Sequence, residues 1–327
     1  MHNLHFLSTP VYIITMAALF RETSQLFQKY KYYLIVHLIA NFISEMYVTF
    51  MWLPMIHLPY EVYKTTGWLA QLGISGIFQF EALGQFVNLI GVSILEMFYH
   101  RFKAVVVFDS QKFSSKLPFY CISIFRCFTF IHFLAFIWAT IDNRTIMYQQ
   151  KKKDELFVKG PDLPDEYKCY TVFIVVLEDP VFVFIVSNWA ILVLLGLILI
   201  ISTTVLINNF LYKARTLSDH TKKMQRMLVI SLLAQVFIHG VMIAFPVSVQ
   251  IYQMMFIVSN NEFGTILLFF VAYHGFFSTC AMVTFTKQIR LKALQFIRCC
   301  VRREPILLVQ NNQIGASSTN IESTNNA

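Results

Sequence analysis

Few side chains in this chain are placed to do covalent chemistry. Its nine histidines are scattered without metal-ligand spacing, there is no glycine-rich phosphate loop, and no serine or cysteine lies in a nucleophile motif. That pattern speaks against an enzyme and assigns no metal and no cofactor. The polar residues that stand out offer hydrogen bonds and charge within apolar runs. Glu81, Gln85 and Asn88 recur at i, i+4 and i+7, on one face of a helix whose other faces are Phe, Leu, Ile and Val. They serve either to hydrogen-bond neighbouring helices or to contact a ligand. Glu81 is nearest the outer surface, where a pocket between helices opens, and His274 is a candidate partner for its carboxylate. Trp189, Tyr252 and Tyr273 are candidates for the same pocket, against 33 Phe and 15 Tyr that are mostly packing.

The second constellation is Tyr99-His100-Arg101, where the apolar run that starts at Gln79 meets water. One reading is an interfacial anchor whose arginine snorkels to lipid phosphate. The other is a conformational switch or a contact with a cytoplasmic protein, with Glu96 one helical turn away as an available carboxylate.

These residues need helices that cross a bilayer. The chain is 57% apolar and only 13% charged, well outside the soluble range, and its 327 residues hold about seven helices of ~20–25 residues with little left for a second domain. The expected spans are residues 4–20, 32–55, 72–98, 118–139, 182–210, 227–250 and 263–285. Glu81, Gln85 and Asn88 make the third of these central, because polar groups at bilayer depth face a bundle interior or a water-filled cavity. His37, Asn41 and Glu45 likewise share one inward face of the second. Residues 140–180 read as a long polar loop with turns and a short element at 171–177, residues 286–304 as a basic amphipathic segment, and residues 305–327 as a disordered tail. The first twenty residues carry no Lys or Arg ahead of their apolar run and no cleavage site, so they read as a span rather than a removable signal peptide.

Of the 26 Lys and Arg, 18 fall in the linkers 21–31, 100–117 and 213–226 and in the segment 286–304, and six more lie in the long loop, where the charge rule is least strict. The amino terminus is therefore expected outside and the tail in the cytoplasm. The net charge of +8 sits beside apolar runs, which fits anionic lipid headgroups and not nucleic acid.

Taken in order, several motifs resemble those of the nematode serpentine chemoreceptors, most closely class H. Thr23, Lys31, Tyr33 and Leu34 fit the entry to the second helix, followed by Glu45, Pro54 and Leu58-Pro59. Gly91-Val92-Ser93-Ile94-Leu95, Phe98 and Arg101 resemble the end of the third, and Ser218, Thr221, Gln225, Gln235 and Pro246 the sixth. His274-Gly275, Ser278-Thr279, Met282 and Arg290 resemble the seventh. His239 stands where the family usually has a proline, and Gln288-Ile289 replace its Pro-Tyr. The resemblance implies an all-α bundle of seven transmembrane helices of GPCR type. It further implies a receptor for a small-molecule cue, coupled to a heterotrimeric G protein, in the plasma membrane of the sensory cilium of chemosensory neurons. With it, Tyr99, His100 and Arg101 become the expected coupling switch. The alternative is a seven-helix ligand-gated cation channel of inverted topology, similar to the insect odorant receptors.

Of the six cysteines, Cys121, Cys127 and Cys280 fall inside spans as small apolar residues. Cys299-Cys300, flanked by Arg298, Arg302 and Arg303, read as palmitoylation sites that would anchor a juxtamembrane helix. Asn143-Arg144-Thr145 is a glycosylation sequon on the expected outer side, close to the fourth helix.

Overall fold

The computed structural model describes residues 5–21, 25–57, 62–106, 113–160, 163–176, 178–213, 218–246, 248–249, 252 and 261–302. The expected disordered tail, 305–327, lies outside them.

The chain is a helical bundle. Helices α1 (His5–Arg21) and α2 (Gln25–Met46) are followed by a π-helical turn, Tyr47–Trp52, and two short strands, β1 (Pro54–His57) and β2 (Val62–Thr65). A four-residue helix α3 (Trp68–Gln71) leads into α4 (Gly76–Val106), α5 (Phe113–Ile141) and α6 (Asn143–Lys159), then β3 (Val172–Ile174). Helices α7 (Pro180–Lys213), α8 (Asp219–His239, continued by a π-turn over Gly240–Ala244), α9 (Asn261–Phe285) and α10 (Lys287–Arg302) complete it. Among the described residues six helices are long and apolar enough to cross a membrane; α1, at 17 residues, is shorter than these. Helix α4 packs against α2, α5, α7 and α8 and is central, as its polar face requires.

Pro54 belongs to a strand and not to the second span. The residue before a proline is disfavoured in helical conformation, and Leu53 turns into the left-handed region at φ 44°, ending the helix there. The hairpin then folds back over the end of α2, with Gly67 N donating to Trp52 O at 3.1 Å. A Cβ on Gly67 would lie 2.3 Å from Met51 O, so only glycine permits this approach.

The expected polar loop is instead a structured cap. Strands β1, β2 and β3 form an antiparallel sheet in that order, with Pro54 opposite Thr65 and Lys64 opposite Val172. Gln149 on α6 covers the outer edge of β3, its Nε2 donating to Ile174 O at 2.8 Å and its Oε1 accepting from Ile174 N at 3.1 Å. Asp142 caps α6 by accepting from Arg144 N at 2.8 Å. The face of α6 turned inward is Thr145, Gln149 and Lys153, polar at i, i+4 and i+8, so a search for apolar periodicity passes over it.

At the opposite end of the bundle, the largest apolar cluster joins Tyr30, Leu34, Phe98, Phe102, Leu211 and Ile289. Helix α10 lies along α1 there, with the Arg21 guanidinium 4.8 Å from the centroid of the Phe296 ring.

Candidate functional site

A polar network runs through the packed centre of the bundle. His37 Nδ1 meets Ser93 Oγ at 2.8 Å, its Nε2 meets Asn41 Nδ2 at 3.1 Å, and Asn41 Oδ1 lies 3.4 Å from His239 Nε2. His239 and His274 then contact ring to ring at 5.2 Å, while their Nδ1 atoms donate to Gln235 O and Val271 O. The network ties α2, α4, α8 and α9 together with every ring buried. Glu45, two turns further along α2, accepts from Tyr12 Oη at 3.0 Å and lies 3.6 Å from His5 Nδ1. Among the described residues no group of His, Cys, Asp and Glu is arranged to hold a metal ion.

The face of α4 expected to be polar does two jobs. Gln85 Nε2 and Asn88 Nδ2 both donate to His132 Nδ1, at 2.8 and 3.0 Å, which leaves the ring proton on Nε2. Glu81 is buried with Oε1 unpartnered, and Asp179, just before α7, is likewise buried with Oδ2 unpartnered. His274 is not the partner of Glu81, because that ring is held in the His37–His239 network by the α9 backbone. Sequence reasoning missed His132 and Asp179; a lone histidine in the apolar run of α5 was the signal available for the first.

Between α4, α7 and α8, with Phe125 of α5 at one wall, lies a cavity of about 480 Å³. Asn88, Gly91, Trp189 and His239 line it among aliphatic side chains, and Trp189 Nε1 is buried without a hydrogen-bond partner. Of the six pocket candidates, only Trp189 reaches this cavity. Glu81 and Gln85 lie nearer the sheet, Tyr273 is buried in a cluster with Tyr47 and Trp52, His274 is in the central network, and Tyr252 is exposed.

Tyr99, His100 and Arg101 are not at the end of their helix, because α4 continues to Val106. Arg101 is therefore buried, at 2% exposure, with its guanidinium 3.4 Å from the centroid of the Tyr30 ring and with Nε and Nη2 unpartnered. His100 packs between Tyr30 and Tyr33, at 5.9 and 5.0 Å, and Tyr99 is buried under the Lys103 ammonium. Glu96 does not serve Arg101, because it projects toward α5 and pairs with Arg126. Ser218 caps α8 by accepting from Thr221 N at 3.2 Å, so half of the expected basic linker is already helix.

The modification candidates are placed as follows. Asn143 is exposed in the first turn of α6, while Thr145 of the same sequon is buried. Cys299 is a half-buried free thiol near the end of α10, and the side chain of Cys300 lies outside the described residues.

A protein-family model described as serpentine type 7TM GPCR chemoreceptor Srh matches residues 1–299 of the chain. No curated protein and no solved structure matches it.

Proposed function

Because the chain belongs to the Srh family of serpentine type 7TM GPCR chemoreceptors, a multi-pass membrane class of chemosensory receptor, we propose that its cue is a small, neutral, largely apolar molecule. The cue occupies the cavity between α4, α7 and α8. The observation that carries this reading is the lining: apolar walls with the indole Nε1 of Trp189 unpartnered and His239 at the edge of the central network. A ligand acceptor bonded to that indole, with contact at His239, makes an interaction available in only one arrangement of α8. Differential affinity of this kind is what shifts a two-state equilibrium.

The responding element is the buried Arg101 end. In this reading the amino terminus is outside, the sheet and α6 form an outer cap, and Arg101 with the basic start of α8 faces the cytoplasm. When α8 moves, Arg101 leaves the Tyr30 ring and contacts a heterotrimeric G protein. The charge distribution supports the orientation, and α10, with Cys299 and Cys300 as acylation sites, follows the anionic inner leaflet. The expected location is the plasma membrane of the sensory cilium.

Gly91 provides the test. A Cβ there meets nothing within 4 Å, and Gly91 lines the cavity, so Gly91→Leu extends a side chain into it. At equal surface expression, G-protein activation by a panel of neutral volatile cues falls by about tenfold or more in potency, a loss of one methylene-scale fit or more. If wild type responds and Gly91→Leu responds equally, the ligand lies elsewhere.

A further inference from the structure

Arg126 and Glu96 form an ion pair on the outside of the bundle. Arg126 Nε donates to Glu96 Oε1 at 2.8 Å, Nη2 donates to the same oxygen, and the Arg126 side chain is 51% exposed. Both residues lie deep in their spans. Arg126 is ten residues from Lys116 and Glu96 nine from Val105, or roughly 15 and 14 Å along helices that rise 1.5 Å per residue. Glu96 lies five residues, about 7.5 Å, inside Arg101, so within a layer about 30 Å thick the pair sits in the half nearer the Arg101 end. Charges at that depth are costly and ordinarily face a bundle interior or a water-filled cavity; this pair faces outward. Convergence on one carboxylate oxygen also leaves most of the guanidinium donors unused by the pair.

The surroundings form a ridge and a groove. On α5, Phe119, Arg126, Phe130 and Phe133 fall on one exposed stripe at helical spacing. Beside it, between α2 and α4, is a groove of about 250 Å³ lined by Tyr32, Val36, Leu89, Val92 and Glu96. One face thus carries both an acid and a base, both a ridge and a hole.

We propose that this face is the contact between two copies of the receptor, related by a twofold axis, in which Arg126 of each copy also pairs with Glu96 of the other. Twofold contacts are self-complementary, and a surface bearing both charges supplies both halves of each pair. The partner copy encloses four charges that a lone bundle leaves against lipid, and Phe130 of each enters the groove of the other.

The test uses full-length chains tagged at the carboxyl terminus, with energy transfer between donor and acceptor copies read at matched surface density. Wild type gives saturable transfer. Arg126→Glu alone and Glu96→Arg alone each place like charges together within and between copies, and transfer falls by about fivefold, the scale of an interhelical polar contact in a membrane. Co-expressing the Arg126→Glu chain with the Glu96→Arg chain restores transfer, because opposite charges then meet only across the contact. If the mixture transfers no better than either variant, or if wild-type transfer rises linearly with density as random collisions do, the proposal is wrong. A lipid headgroup as the occupant of Arg126 would give that second result. If the charge-reversed chains do not reach the surface, Phe130→Ala decides: it leaves the ion pair intact, its transfer is expected to fall, and unchanged transfer overturns the contact.

Discussion

The guanidinium of Arg101 lies 3.4 Å from the centroid of the Tyr30 ring, at a point where α2 and α4 leave neither side chain more than 2% exposed. Among the described residues no ion pair with a carboxylate is made by this charge, and its Nε and Nη2 have no hydrogen-bond partner. The arrangement holds the arginine in the bundle through the face of an aromatic ring. A contact of this kind, desolvated, contributes about 2 kcal/mol.

That contact exists only while Arg101 is inside. Removing the ring therefore favours the arrangement in which Arg101 is out. Tyr30→Ala is expected to raise ligand-independent G-protein nucleotide exchange by about tenfold at equal surface expression, and Tyr30→Phe, which keeps the ring but loses the hydroxyl's contact with Arg101, raises it by less. Basal exchange that stays at the wild-type level in Tyr30→Ala would show that the stack does not hold the resting state.

Gly275 sets how closely α9 approaches α2. A Cβ there would lie 2.9 Å from Asn41 Cβ and from Tyr12 Oη, and 3.0 Å from Asn41 O. Backbone and a hydrogen-bonded tyrosine cannot yield cheaply, so Gly275→Ala overpacks the contact by about 1–3 kcal/mol. The expected result is a lower thermal midpoint in detergent and reduced surface expression. A melting curve that overlays wild type would mean that α9 slides to accept the methyl group.

Lys153 anchors α6 from below, its Nζ donating to Cys169 O at 2.7 Å while the side chain is buried. Burial holds its ammonium below the ordinary lysine range. With the folded value depressed, the unfolded segment binds more protons between that value and about 10.4, so stability rises with pH across this window. The cost of the buried charge is complete below the window and gone above it. Amide exchange of α6 in the wild-type protein should slow as pH rises through the window, after correction for the intrinsic rate. Lys153→Met should lack that slope; equal slopes would show that Lys153 is not the titrating group.

Much of the bundle was legible because bilayer physics acts locally. An apolar run of span length is a helix whatever surrounds it, and polar residues at i, i+4 and i+7 mark its inner face, so the central place of α4 and the inward stripe of His37, Asn41 and Glu45 followed from spacing. The ordered motifs carried the family, which the match over residues 1–299 shows. Partner choice was not legible. Glu96 stood one turn from Arg101 in sequence yet meets Arg126, because side chains only a turn apart can leave the helix toward different neighbours. His274 meets His239 and not Glu81, because the α9 backbone at Val271 holds its ring in the central network.

What the sequence determined by itself was the class of protein: the solvent, the number of spans and the family. These depend on composition, on periods of one element and on motif order. Tertiary structure alone decided that Arg101 is sheathed by Tyr30, that the expected polar loop holds α6 and β3, and that Trp189 and His239 line one cavity. Each of these depends on which faces of separate helices meet, and a one-dimensional pattern holds no term for the angle or register at which two helices cross.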